Sequence, residues 1–101
     1  MGKIKALSEQ EIQVRMKSCE FWNRVGAKGQ EIQRTWALPG FQDSIRFVNQ
    51  VAVEADKADH HPDILIQYNK VTLTLSTHDA GGLSERDFNF AKLCDEITGA
   101  C

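Results

Sequence analysis

Hydrophobic residues recur at helical spacing in three stretches of the chain. The first stretch begins after Ser8, the second runs from Phe41 to about Asp59, and the third begins after Ser84. Each has an apolar face with intervals of three and four residues, which is the pattern of a helix that packs on a core. Proline disfavours helical geometry in the residue before it, so Pro62 predicts that the second helix ends near His60.

The first and third helices are predicted to begin with the same kind of motif. In LSEQEI, Glu11 follows Ser8 by three residues, which is the spacing of a capping box, and the flanking hydrophobic residues have the spacing of a staple. In LSERDF, Ser84 and Asp87 repeat this arrangement. A capping function alone accounts for Asp87 without any role in chemistry.

Four shorter stretches have the alternation or the apolar content of β-strands. They are Phe21–Val25, Ile32–Leu38, Ile64–Tyr68 and Val71–Thr77. Short turns join the first two and the last two, so each pair is predicted to form a hairpin. An isolated hairpin is unstable in water, so the hairpins are expected to join in one sheet. The predicted fold class is α+β: a four-stranded antiparallel sheet with three helices on one face, in the order α-β-β-α-β-β-α, as a single domain over residues 1–101.

The composition is that of a globular protein. The chain has 101 residues, 42% of them hydrophobic and 26% charged, with a formal net charge of −2. Lysine and arginine are scattered, which argues against a nucleic-acid partner, and no apolar run reaches the roughly 20 residues that a membrane span needs. The N-terminus lacks the apolar segment of a signal peptide, and the unrelated spacings of Cys19, Cys94 and Cys101 indicate free thiols. These features predict a cytoplasmic protein.

The segment DKADHHPDI, residues 56–64, contains two of the three histidines of the chain. His60 and His61 occupy the predicted junction between the second helix and the third strand. Asp56 lies one helical turn before His60 and is expected on the same helix face if the helix persists that far. His78 follows the last strand, which returns beside this junction, and strand alternation predicts that it points away from the apolar face of the sheet. The histidines are therefore able to converge.

Three interpretations of this histidine cluster are open from the residues alone. The adjacent pair can be a C-terminal helix cap that the helix dipole favours. The imidazoles can form an acid–base site, because the ordinary pKa of histidine, ~6.5, lies near neutrality. They can also bind zinc with an open fourth position, although adjacent histidines are not the i, i+4 pair that most often builds such a site.

The spacing of these residues resembles the signature of the pterin-4a-carbinolamine dehydratases. Asp56 is followed after three residues by His60-His61-Pro62, after five more by Tyr68, after nine by His78 and after eight by Asp87. The segment YNKVTLTLSTHDAGGLSERD looks like the same family almost throughout. There are two departures: Asp56 stands where many members have glutamate, and the loop at residues 79–82 is a variant.

The resemblance implies a reaction, a site and no requirement for a cofactor. The implied reaction is dehydration of a 4a-hydroxytetrahydropterin to quinonoid dihydropterin, in tetrahydrobiopterin recycling. The implied catalytic residues are His60, His61, His78 and Asp56, with His60 and His78 as acids at the hydroxyl and His61 mainly holding the pterin. Together with the histidines, the implied pterin contacts are Asp59, Pro62, Ser76, Thr77, Asp79 and Trp22. Trp22 is equally explained as a core aromatic residue.

Two other functions stay open at this point. Animal members of the family also serve as dimerisation cofactors of a transcription factor, and a three-histidine site can support metal-dependent hydrolysis. The predicted sheet has unpaired edge strands, and a chain of 101 residues gains from burying surface against a copy of itself. We therefore expect a homodimer or homotetramer, with a pterin as the small-molecule partner and neither nucleic acid nor membrane.

Overall fold

The structure, a computed structural model, describes residues 4–97. Its helices are α1 (Glu9–Lys17), α2 (Phe41–Ala58) and α3 (Glu85–Ile97). Its strands are β1 (Asn23–Val25), β2 (Glu31–Ala37), β3 (Asp63–Gln67) and β4 (Lys70–Leu75), and a 3₁₀ turn at His78–Ala80 connects β4 to α3. This order confirms the predicted α-β-β-α-β-β-α arrangement. In the part of the chain described, none of the helices combines the length and the apolar character that crossing a membrane requires.

The two hairpins share one antiparallel sheet with the strand order β1-β2-β4-β3. β2 and β4 form its centre and pair from Ile32 opposite Leu75 to Ala37 opposite Lys70. β1 and β3 are the edge strands. The prediction of a single four-stranded sheet is therefore confirmed.

One face of this sheet is buried beneath the helices. Ile32 of β2, Leu73 of β4 and Phe88 of α3 have no exposed surface. The opposite face carries polar side chains, and the hydroxyls of Thr35 and Thr72 bond across the central strands at 2.7 Å. Because successive side chains of a strand point to opposite faces, the alternation in β2 and β4 assigns one face to the core and the other to solvent. The α+β fold class is confirmed.

Arg34 interrupts the apolar face of β2, and the structure shows how its charge is accommodated. Its guanidinium donates to Oδ1 of Asp95 in α3 over 2.5 Å, and the indole Nε1 of Trp22 donates to the same oxygen over 3.0 Å. The guanidinium also lies over the rings of Phe21 and Trp36, 4.6 and 4.5 Å from their centres. A buried charge is tolerated when it is paired and hydrogen-bonded, so this cluster fastens the first hairpin to α3.

The elements differ from their predicted bounds mainly at their ends. Phe21 and Trp22 precede β1 instead of belonging to it, and Thr77 pairs only through an isolated bridge to Gly82. α2 ends at Ala58, two residues before His60. This earlier end changes which carboxylate reaches which histidine.

Candidate active site

The C-terminal end of α2 places adjacent histidines in different surroundings. Asp59 has left-handed backbone, with φ 51° and ψ 43°. Its N–H bonds the carbonyl of Asp56 at 3.3 Å, and the N–H of His60 bonds the carbonyl of Ala55 at 3.1 Å. This is a Schellman motif with aspartate where glycine is most common. The chain reversal turns His60 inward and leaves His61 at the surface, with 9% and 60% of their side chains exposed.

His60 forms a buried pair with Asp87 of α3. Its Nε2 lies 2.6 Å from Oδ1 of Asp87, whose side chain has no exposed surface. The ring of Phe90 meets the imidazole edge-on, with ring centres 6.2 Å apart. His60 also borders a cavity of about 220 Å³ between the end of α2 and α3, and the remaining lining residues are Ala58, Arg86, Asn89, Phe90 and Leu93. The imidazole is thus held by a carboxylate and also open to a small cavity.

Asp87 has two functions, of which the helix-start pattern predicts one. Its Oδ2 accepts the backbone N–H of Ser84 at 2.9 Å, as the capping interpretation requires, and the hydroxyl of Thr77 at 2.7 Å. Its Oδ1 contacts His60. The sequence signal for this second function is the family spacing, which ends at Asp87. The capping position explains the residue so completely that sequence reasoning leaves it out of the site.

Asp56 pairs with His61 and not with His60. The distance from Oδ1 of Asp56 to Nε2 of His61 is 3.0 Å, and both side chains are largely exposed. Asp56 was expected beside His60 only if the helix persisted that far, and this condition is not met because the chain reverses at Asp59. An ion pair in water contributes little to stability, so Asp56 orients His61 only weakly.

His78 lies on the 3₁₀ turn after β4 and is exposed. Its loop is closed by two backbone bonds between Thr77 and Gly82, at 3.1 and 3.3 Å, and the N–H of Gly81 bonds the carbonyl of His78 at 3.0 Å. Gly81 has a φ of 75°, a conformation that favours glycine. Because β4 ends at Leu75, the turn and not strand alternation sets the direction of His78.

Four further residues that the resemblance implies as pterin contacts lie in the two loops that carry the histidines. Asp59 and Asp79 are exposed, whereas Pro62 and Ser76 are half-buried. Each is adjacent in sequence to a histidine or to Thr77, and the two loops meet at Asp87, which contacts both His60 and Thr77.

Two other implied contacts, Thr77 and Trp22, are buried, with exposed fractions of 4% and 2%. The hydroxyl of Thr77 is directed to Asp87. The indole of Trp22 packs edge-on against Trp36 and donates to Asp95. This position supports the core interpretation of Trp22, and its role as a wall of the pterin site stays a prediction.

Within the described residues, the cysteines and histidines do not assemble into a metal centre. Cys19 and Cys94 are free and buried, which confirms the prediction of free thiols for these two, and Cys101 lies outside the described residues. Burial raises the pKa of the Cys94 thiol to about 12 and also raises that of Cys19, so neither is a thiolate at neutral pH. Among residues 4–97, no group of three or more His, Cys, Asp or Glu side chains is arranged to hold a metal ion. The metal-hydrolase alternative lacks its ligand group in this range.

Sequence comparison relates the chain to known proteins over almost its whole length. The family model described as pterin 4 alpha carbinolamine dehydratase matches residues 5–97. A relative from Roseiflexus sp. (strain RS-1) is 50% identical over 91 residues, which cover 90% of this chain and 95% of the relative. A relative from Sulfurisphaera tokodaii is 39% identical over 94 residues, covering 93% and 98%. Both relatives carry the provisional name pterin-4-alpha-carbinolamine dehydratase.

Two solved structures have similar folds. A transcriptional coactivator/pterin dehydratase from Brucella melitensis has a TM-score of 0.88 and 32% identity, covering 94% of this chain and 100% of the other. A pterin dehydratase-like protein identified as a RuBisCO assembly factor in the alpha-carboxysome has a TM-score of 0.66 and 21% identity, covering 79% and 92%. The second likeness concerns the fold alone.

The fold and the site define an α+β protein whose histidines lie at the end of α2 and in the loop after β4. Because the family model spans nearly the whole chain and half of the aligned residues of a relative are identical, the chain belongs to the pterin 4 alpha carbinolamine dehydratase family and is an enzyme of that family.

Proposed function

We propose that this chain removes water from a 4a-hydroxytetrahydropterin to give quinonoid dihydropterin, by acid–base catalysis from its histidines. The observation that carries the proposal is the buried pair of His60 and Asp87, 2.6 Å apart, in a chain of the dehydratase family. In this reaction the C4a–O bond breaks, the hydroxyl gains a proton and leaves as water, and N5 loses its proton as the C4a–N5 double bond forms. No electrons pass to or from a second reactant, so groups that exchange protons near neutral pH are sufficient.

His60 and His78 are the residues that we assign to proton transfer at the hydroxyl and at N5. Asp87 holds the ring of His60 in one orientation, which a positioned acid or base requires. His61 is assigned to binding of the pterin, with Asp56 as its partner at 3.0 Å. This assignment fits the exposure of His61, because a group that binds a ligand from solvent must itself be accessible.

The pterin is proposed to bind between the loop that ends α2 and the loop that follows β4. The exposed or half-buried members of these loops are Asp59, Pro62, Ser76 and Asp79. Their carboxylates, hydroxyl and backbone groups can accept and donate hydrogen bonds to the edge of a pterin ring. A role in tetrahydrobiopterin recycling follows from the family resemblance, and a location in the cytoplasm follows from the sequence features given above; both belong to the same proposal.

Stopped-flow dehydration of a synthetic 4a-hydroxytetrahydropterin tests the proposed activity directly. The wild-type chain is expected to accelerate the loss of water, and added chelator is expected to leave the rate unchanged. A rate equal to that of the uncatalysed reaction would contradict the proposal. Activity that disappears with chelator and returns with zinc would favour the metal-dependent alternative.

The chain is also proposed to form a homodimer or a homotetramer. β3 is an edge strand, and it exposes 40% of Ile64 and 51% of Leu65. An exposed apolar edge readily pairs with another strand, and a two-fold axis allows the same edge of two copies to meet. Sedimentation equilibrium at micromolar concentration measures the mass, and a value near 11.4 kDa, that of one chain, would contradict this proposal.

Coactivation of a transcription factor is a second candidate function. The supporting observation is that the Brucella melitensis protein, with a TM-score of 0.88, is described as a transcriptional coactivator as well as a pterin dehydratase. A binding assay between this chain and a purified homeodomain factor tests it, and lack of binding at micromolar concentration would remove the candidate without affecting the enzymatic proposal.

A further inference from the structure

The hydrogen bonds around Asp87 all run in one direction. Thr77 has a single hydroxyl hydrogen, which it donates to Oδ2 of Asp87 over 2.7 Å. At the 2.6 Å contact between the hydroxyls of Thr77 and Ser84, Ser84 must therefore be the donor. The hydroxyl oxygen of Ser84 in turn accepts the backbone N–H of Arg86 at 3.2 Å. This series of donors ends at the carboxylate of Asp87.

The polarity of the network determines where His60 carries its hydrogen. Oδ2 of Asp87 accepts both from Thr77 and from the backbone N–H of Ser84. An ionised carboxylate has acceptors only, so beside it Nε2 of His60 carries the hydrogen and donates it to Oδ1 over 2.6 Å. A neutral imidazole has only one N–H. Nδ1 is then the nitrogen of His60 that can accept a proton and release it again.

The network is also buried, so each of its acceptors depends on a donor from the protein. The exposed fractions of Thr77, Ser84 and Asp87 are 4%, 1% and 0%. When a buried acceptor loses a donor, solvent does not readily replace it, and the group reorients or stays unsatisfied. The backbone of Thr77 additionally closes the loop that carries His78, through its bonds to Gly82. Thr77 is thus a shared support of both histidines that we assign to proton transfer.

We propose that Thr77 and Ser84 are positioning residues for the dehydration. They hold Asp87 as an acceptor, which fixes the ring of His60 with its hydrogen on Nε2 and makes Nδ1 the atom that transfers the proton. The side chain of Thr77 then supports a catalytic group instead of contacting the pterin. The expected effect on rate rests on the proposed function, whereas the assigned tautomer does not.

Nitrogen-15 NMR of histidine-labelled protein tests the tautomer without substrate, at a pH where the imidazoles are neutral. The variants His61→Gln and His78→Gln assign the signals, and His60 is expected to carry its hydrogen on Nε2. Asp87→Asn is expected to reverse this. In this variant the amide oxygen accepts the hydrogen bonds from Thr77 and Ser84. The amide NH₂ then faces Nε2 of His60 as a donor, so Nε2 becomes an acceptor and the hydrogen of the imidazole moves to Nδ1. Hydrogen on Nδ1 in the wild type, or an unchanged tautomer in Asp87→Asn, would overturn the inference.

Substitution of Thr77 tests the consequence for rate. Thr77→Val is expected to lower kcat about 10- to 100-fold with a much smaller change in KM, and Thr77→Ser, which keeps the hydroxyl, is expected to restore kcat to within about threefold of wild type. The matched control is Thr35→Val, which removes a hydroxyl bonded to Thr72 on the solvent face of the sheet and should change neither constant.

The outcomes separate this inference from the proposed function. Wild-type kcat in Thr77→Val, or a Thr77→Ser enzyme as slow as Thr77→Val, would overturn the positioning role. If circular dichroism shows that Thr77→Val does not fold, Ser84→Ala replaces it with the same expected direction, because it removes the donor to Thr77. If the wild type does not dehydrate the pterin, the proposed function fails, and the NMR spectra alone decide whether the network fixes His60.

Discussion

α1 and α3 begin with the same motif, a serine followed three residues later by an acidic residue. In α1 the backbone N–H of Ser8 bonds the carboxylate of Glu11 at 2.8 Å, and in α3 the backbone N–H of Ser84 bonds the carboxylate of Asp87 at 2.9 Å. The motifs are neighbours, since the N–H of Leu7 bonds the carbonyl of Leu83 at 2.9 Å. Yet the carboxylate of α1 only caps a helix, whereas the carboxylate of α3 also holds an imidazole.

The two motifs differ in how deeply they are buried. Ser8 and Glu11 are exposed, so water satisfies the remaining lone pairs of the α1 carboxylate. Ser84 and Asp87 have exposed fractions of 1% and 0%, so the second oxygen of Asp87 needs a protein partner, and His60 supplies it. The comparison teaches that a local motif specifies where a helix begins, while the tertiary surroundings decide whether its carboxylate has a second function.

The largest loss of activity is expected when the imidazole of His60, which the carboxylate at the start of α3 holds, is removed. His60→Ala should slow dehydration about 10²- to 10⁴-fold, the usual contribution of a positioned acid or base, and His78→Ala should act in the same range. His61→Ala should mainly raise KM, because His61 is assigned to binding. Steady-state and single-turnover kinetics distinguish these effects, and three variants with near-native rates would remove the histidines from the mechanism.

The carboxylates themselves form the next matched pair. Asp87→Ala leaves His60, the hydroxyl of Thr77 and the N–H of Ser84 without their acceptor, so we expect a loss of about 3–5 kcal/mol in the free energy of unfolding. It should also lower kcat about 10- to 1,000-fold. Glu11→Ala should decrease stability far less and leave kcat unchanged, because the α1 carboxylate is in water. Urea denaturation and enzyme kinetics on both variants measure the changes in stability and in kcat. Equal changes in the two variants would show that burial does not distinguish the two carboxylates.

The capping serines give a smaller contrast. Ser8→Ala removes a hydroxyl that accepts the N–H of Glu11 at 3.2 Å, and this should destabilise the protein by about 1 kcal/mol. Ser84→Ala should destabilise it by about 2 kcal/mol or more, because the hydroxyl of Thr77 and the N–H of Arg86 lose a buried partner as well. Only Ser84→Ala should also lower kcat. A larger loss of stability in Ser8→Ala would reverse the comparison.

Most of the fold could be predicted because its signals are local. Alternation in β2 and β4 assigns the core face, and a serine followed three residues later by an acidic residue locates the starts of α1 and α3. The end of α2 was less predictable, since Pro62 indicates only the last position at which the helix can end. The left-handed conformation of Asp59 ends the helix earlier, and no residue pattern specifies that an aspartate takes the place of the usual glycine.

The site was predictable in its residues and not in its pairings. The spacing names His60, His61 and His78, but pairing depends on contacts between segments distant in sequence. His60 meets Asp87 across 27 residues, and Asp56 meets His61 only because the chain reverses at the end of α2. For Trp22, the sequence does not specify even the function. An aromatic residue near a strand suits a ligand wall or a core equally well, and its bond to Asp95, 73 residues away, is beyond any local pattern.

The smallest effect in this comparison concerns pH and the cap of α1. The backbone N–H of Ser8, bonded to the carboxylate of Glu11, holds the pKa of Glu11 below its ordinary value of 4.5. A carboxyl with a depressed pKa in the folded state contributes stability that is fully present above its unfolded pKa. That contribution is lost as the pH falls through the folded pKa.

We therefore expect the urea midpoints of wild type and Glu11→Gln to differ by a constant amount near neutrality and to approach each other below about pH 4.5. Gln10→Ala, exposed on the same helix and without an ionisable group, is the control and should show a constant difference throughout. A difference between wild type and Glu11→Gln that grows in acid would mean that the carboxylate is not stabilised by the cap.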